Sequence, residues 1–201
     1  KRKKIKLIIK KKYWLYYTLE FLAGARRQVF VVFAAFMMVE KFNLEVNQVT
    51  TLFLINLILN ILFSPAIGIF IKYFGERLTL ILEYFGLSII FALYGFLFIF
   101  DWGITIACIL YILDHLFFSM AIAKKTYFQK IADPEDIPPT TAIAFTINHI
   151  SAVFLPIILG FIWIIKPEVV FFFATILAFL SLIFSFLVPS EPKQNKTTIF
   201  T

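Results

Sequence analysis

Long apolar runs, each broken by a few polar or turn-forming residues, dominate the chain. The first extends over about 13–38 and is entered through Tyr13, Trp14, Tyr16 and Tyr17, an aromatic cluster suited to a membrane interface. Glu40-Lys41-Phe42-Asn43 closes it, and a second run follows at about 49–73. Gly75-Glu76-Arg77 is a short turn before a third run at about 78–100, and Asp101-Trp102-Gly103 turns the chain again. The fourth run, about 104–123, can continue as helix through Lys130. Asp133-Pro134-Glu135-Asp136-Ile137-Pro138-Pro139 then stops one helix and restarts another, because proline cannot continue a helix but fits its first turn. A fifth run at about 141–165 and a sixth at about 169–188 flank the tight turn Lys166-Pro167-Glu168. A helix needs about 20 apolar residues to cross a bilayer, so the pattern predicts six spans within 13–188. Residues 1–12 form a basic loop or tail and 189–201 a polar tail.

Composition fixes the class. With 61% hydrophobic residues and 15% charged ones, the chain lacks the polar surface of a water-soluble domain of 201 residues. The expectation is an all-α integral membrane protein whose first partner is the lipid bilayer. The lone Cys108 sits in an apolar run and reads as a small core residue. The charge of +7 changes the picture only in its placement. Residues 1–12 hold eight Lys and Arg, and Lys72, Arg77, Lys124, Lys125, Lys130, Lys193 and Lys196 fall on the same side of the predicted spans. Lys41 and Lys166 fall on the other. Basic residues mark the cytoplasmic side, so both termini are expected there, and the excess charge points to lipid head groups rather than nucleic acid. The location is a cell membrane, the inner one in a bacterium.

Ionisable groups inside the runs are the candidate chemistry. A charge at the centre of a membrane helix costs about 2.5–3.5 kcal/mol on insertion scales, so it faces protein, a partner charge or a water-filled cavity. Arg26 and Arg27 lie half-way along the first span, with Asn60, Asp114, His115, Asn148 and His149 at similar depth and Glu20 and Glu83 nearer the basic side. Adjacent helical residues point about 100° apart, so Arg26 and Arg27 cannot face the same surface. Arg27 shares its face with Glu20, Ala23 and Gly24. One arginine can hold an anionic group of a substrate, or pair with Asp114. Asp114, His115, His149 and Glu20 can carry a proton, or be satisfied locally. Asn60 can line a cavity or join helices. Glu83 is expected to meet Arg77 or interfacial water, and Lys124 and Lys125 to reach outward to the interface or guard an inner mouth. No phosphate-binding glycine loop, nucleophile with its base or metal-ligand spacing occurs, so neither an enzyme, a cofactor nor a metal site is expected.

The second-to-third turn, Gly68-Ile69-Phe70-Ile71-Lys72-Tyr73-Phe74-Gly75-Glu76-Arg77, resembles the signature loop of the major facilitator superfamily. Gly68, Gly75 and Arg77 match; Lys72 stands where an acidic residue is usual, and Glu76 where a basic one is. Such a degraded copy is typical of that superfamily's second half. The segment from Gln129 to Asp136 resembles the link between the fourth and fifth helices of a half, and Pro156 with Gly160 resembles the fifth helix's motif. The resemblance implies a six-transmembrane-helix bundle that is the C-terminal half of a major facilitator fold, with its N-terminal six-helix half missing from the sequence in hand. It implies that Gly68, Lys72, Gly75 and Arg77 form a conformational loop. It also implies proton-coupled alternating access of a small solute, with Arg26, Arg27, Asn60 and His149 at the substrate and Asp114, His115 and Glu20 as proton carriers. Two alternatives stay open: a drug or metabolite exporter with purely structural arginines, and a non-transporting membrane scaffold or subunit.

Overall fold

The computed structural model of the chain describes residues 9–200. Residues 1–8, most of the predicted basic loop, lie outside the described residues, as does Thr201. Five helices among those described are long and apolar enough to cross a membrane: α1 (Lys11–Glu40), α2 (Val46–Ile99), α3 (Ile104–Ile131), α4 (Ile137–Ile165) and α5 (Pro167–Ser185). Local sequence explains their ends. Glu45 and Gln48 close a reciprocal capping box at the start of α2. Proline sits in the first turn of both α4 and α5. Asn43 and Asp101 take positive φ in the turns after α1 and α2, a conformation their short polar side chains tolerate.

Straight, the 54 residues of α2 would reach about 81 Å, far beyond a hydrocarbon core of about 30 Å. The helix breaks at Gly75, with φ 80° and ψ 168°. That backbone is open to glycine and strained for any other residue. The side chains show the chain folding back there. Val49 from the start of α2 shares one core cluster with Ile90, Phe91 and Leu97 from its end, while Ile67, Ile71 and Leu80 share the other. The first cluster also gathers Phe33, Met37, Tyr111, Trp163 and Phe171. The second gathers Tyr13, Leu19, Tyr84, Tyr127, Ile131 and Val188. The two larger clusters form apolar layers, one above the other, with a small third cluster of Leu22, Ala25 and Leu177, and polar contacts pin each end.

At the end nearest Glu40, the Trp163 indole N–H donates to the Glu40 carboxylate at 2.6 Å, and Lys41 pairs with Asp101 at 2.6 Å. At the opposite, basic end, Lys12 pairs with Asp133 at 2.5 Å and with Asp136 at 3.2 Å, and Lys10 also pairs with Asp136. The polar tail is docked there. The Asn195 N–H donates to the Ile131 carbonyl at 3.1 Å, Ile199 N–H to the Leu187 carbonyl at 2.9 Å, and the Tyr127 hydroxyl to the Thr197 carbonyl. α1 is the most enclosed helix and runs through the middle of this arrangement.

Candidate functional site

α1 brings chemistry to two opposed surfaces. On one, Arg26 is wholly buried. Its Nη2 lies 3.9 Å from Glu83 Oε1, and its guanidinium sits 4.4 Å from the centre of the Tyr84 ring. Neither the guanidinium nor the Glu83 carboxylate makes a hydrogen bond, so charge and the aromatic face hold the pair. Asp114 is also fully buried, without a hydrogen-bond donor, and within electrostatic reach of Arg26. The helix widens to a π-helical stretch at Val29–Ala34, which begins two residues beyond Arg27. Such a stretch shifts the register of the side chains that follow it.

On the other surface a cavity of about 410 Å³ opens between α1, α3 and α4. Its lining includes Tyr16, Glu20 and Arg27 from α1, Lys125 and Gln129 from α3, and Asn148 and His149 from α4. Glu20 and Arg27 are seven residues apart, two helical turns, and so reach the same wall. Glu20 is already engaged: Lys124 Nζ is 3.2 Å from its Oε2, and the Asn148 amide donates to the same oxygen at 3.2 Å and to the Glu20 carbonyl at 3.1 Å. Two buried rings stack in the lining, Tyr16 on Phe128 with centres 4.1 Å apart. The His149 ring lies 4.0 Å from Phe145, and its Nδ1 is 2.8 Å from the Phe145 carbonyl. Gly24 makes the α1–α4 wall possible, since a Cβ there would stand 2.3 Å from the Asn148 carbonyl oxygen.

The remaining predicted residues divide between these surfaces and the basic end. His115 is half-buried beside Phe30, at 5.8 Å between rings, and its Nε2 has no partner. Asn60 does not line the cavity: its amide donates to the Ser119 hydroxyl at 3.0 Å, tying α2 to the tight turn within α3. Gly68 and Lys72 are exposed on α2 before the break, and Arg77 is half-buried just after it. Glu76, beside them, is buried and pairs with Lys130 at 2.6 Å.

Two expectations are corrected. Glu83 meets neither Arg77 nor interfacial water; it is buried against Arg26, because the second arm of α2 turns that face toward α1. Lys124 does not reach outward; it is buried against Glu20, and the pairing compensates two charges that would each be costly alone. Only Lys125 is exposed. Tyr16, Tyr84 and Gln129 enter the site only through the fold, whereas the buried ion pairs have a signal in the sequence. The available signal was scarcity: buried carboxylates need cations, and the inner parts of the spans offer only Arg26, Arg27, Lys124 and Lys125. Among the described residues no cluster of metal-ligating side chains occurs.

No curated protein and no solved structure matches the chain. The family profile described as Major Facilitator Superfamily matches residues 16–200, from the aromatic entry of α1 to the docked tail. With its membrane-length helices and intramembrane charges, the chain belongs to the major facilitator superfamily of membrane transporters.

Proposed function

We propose that the chain is one six-helix half of a secondary transporter that moves a small anionic solute by proton-coupled alternating access. The two arms of α2 are read as separate crossings, which brings the count to six. Basic residues 10, 12, 72, 77 and 130 then face the cytoplasm together with both termini. A second half, packed against the cavity side, would complete the path across the membrane.

One observation carries the reading: a polar cavity and a buried charge cluster meet at Glu20. Glu20 lines the cavity and pairs with Lys124, which also acts electrostatically on Glu83, the partner of Arg26. The connected groups comprise the carboxyls of Glu20, Glu83 and Asp114 and the cations Arg26 and Lys124. Fully ionised, they leave one negative charge unmatched inside the membrane. A bound proton neutralises that charge, and its arrival or departure would change how Glu20 and Lys124 share the cavity wall. Arg27 supplies the fixed, planar cation for an anionic group on the solute.

Flux in proteoliposomes tests the proposal. The full-length protein should concentrate an anionic solute when a pH gradient is imposed, and Glu20→Gln should leave exchange intact while abolishing the response to the gradient. Absence of flux for any of a broad panel of solutes, or flux indifferent to the gradient, overturns it.

A further inference from the structure

The α1–α3–α4 cavity holds more positive charge than it neutralises. Lys124 and Asn148 already satisfy Glu20, the one carboxylate in the lining. Arg27 and Lys125, which also line the cavity, have no carboxylate partner among the described residues. They stand on different helices, α1 and α3, so they address a bound molecule from different walls. The neighbouring lysines diverge for the same reason as the arginines: about 100° of helical rotation sends Lys124 inward and leaves Lys125 in the cavity. α4 closes the third wall with Thr141, Asn148 and His149. The Asn148 Oδ1 is buried without a donor. A volume of about 410 Å³ is at the small end of the roughly 300–1,000 Å³ usual for small-molecule sites.

We propose that this cavity selects a compact organic dianion, a dicarboxylate or a phosphate monoester, and that Lys125 reads the second negative charge. The proposal rests on the transporter reading and sharpens it to a substrate class. Arg27 anchors one anionic group through its planar fork, which fits carboxylate and phosphate oxygens two at a time. Lys125 contributes a point charge on a flexible stem, suited to meeting a second group whose position varies with the ligand. Two unmatched cations in a confined polar space disfavour a cationic ligand by repulsion, and leave a monoanion with one of them uncompensated.

Equilibrium binding to the detergent-solubilised full-length protein tests this, using titration calorimetry with four probes. Succinate and butyrate share a four-carbon chain and differ by one charge; propyl phosphate and propanol form the second pair. Succinate or propyl phosphate should bind at least about tenfold more tightly than butyrate, the difference expected for one charge-assisted contact. Whichever dianion binds better identifies the headgroup. Arg27→Gln should weaken binding of dianion and monoanion alike by about tenfold or more. Lys125→Gln should erase the dianion advantage and leave butyrate binding within about twofold. Thermal unfolding of each variant checks that the fold is retained, and Lys125→Arg should restore the advantage. Equal affinity for succinate and butyrate, an unchanged ratio in a folded Lys125→Gln protein, or tighter binding of propanol than of any anion overturns the proposal. Dianion binding without flux in vesicles would sink the transporter reading and leave this site standing. Flux of neutral or cationic solutes without dianion binding would do the reverse.

Discussion

Arg26 and Arg27 are neighbours in sequence and occupy different environments. Arg26 faces a buried interior where Glu83 and the Tyr84 ring lie against it and Asp114 acts on it electrostatically. Arg27 faces a cavity with Lys125 and His149 and has no ion-pair partner among the described residues. One helical step separates a charge paired in the interior from one that lines a cavity without a described carboxylate partner. The difference follows from burial: a charge removed from water needs its partner to remain, whereas a charge at a wet wall keeps most of its solvation.

The largest effect is expected on the dry side. Arg26→Gln leaves Glu83 buried without its paired cation, with only the longer-range influence of Lys124, and breaking such pairs costs about 3–5 kcal/mol. The variant should show a collapse of folded, monodisperse protein in detergent. Adding Glu83→Gln should recover much of it, since a neutral pair in the interior is often no worse than an ionic one. If the double variant unfolds as readily as the single one, the Glu83 carboxylate is not what makes Arg26 necessary.

Next in size is the wall between the two regions. Gly24 lets α1 approach the backbone of α4, with room for no side chain beside the Asn148 carbonyl and the Ser151 hydroxyl. Gly24→Leu should cost about 1–3 kcal/mol through overpacking and push Glu20 away from Asn148. A protected thermal transition equal to that of the parent protein would show that α1 and α4 are not tightly apposed.

Much of this was legible in the sequence, and the limit is instructive. The five membrane-length helices overlap the apolar runs, with the second and third runs joined in one helix that breaks at Gly75. The α3 helix runs on to Ile131, as the continuation past residue 123 allowed. Helical periodicity also separated Arg26 from Arg27 and joined Arg27 to Glu20. What it could not supply was the identity of the facing helix. The pairs Arg26–Glu83 and Lys124–Glu20 link residues far apart in sequence, and the side chain of Glu83 is read correctly only once the second arm of α2 is seen against α1. The docking of the tail was hidden for the same reason: its polar residues look solvated, yet the Asn195 and Ile199 N–H groups find helix-end carbonyls.

A third kind of charge, at the water-facing basic end, sharpens the contrast by its response to pH. The Lys12 ammonium, with Gln194 from the tail, holds the Asp133 carboxyl below its usual range. Lys10 chiefly, helped by the Tyr13 hydroxyl and Lys12, does the same for Asp136. A carboxyl depressed in the folded state stabilises it above the unfolded value, about 3.9, and that contribution fades as pH falls through the folded value. The tail should therefore stay docked from neutral pH down to about 4 and loosen below it, which proteolysis of residues 189–200 would register. Asp133→Asn should loosen the tail at neutral pH too. A tail equally protected at pH 7 and pH 3 would mean that the backbone bonds to Ile131 and Leu187 hold it without the ion pairs.

The smallest stability effect is the most informative about function. Arg27→Gln removes a charge that no described carboxylate balances, from a wall open to a cavity. The folded state should lose no more than about 0.5 kcal/mol, the range of substitutions away from any structural partner. It can even gain, because Arg27 and Lys125 repel across the empty site. Anion binding should nevertheless fall by about tenfold or more, the loss expected for a charge-assisted contact. A large change in function with almost none in stability is the reverse of the Arg26 result, and the two variants measured side by side decide the comparison. Should Arg27→Gln unfold the protein as Arg26→Gln does, the cavity wall carries structural load. The anion site would then have to be sought around Lys125 and His149 alone.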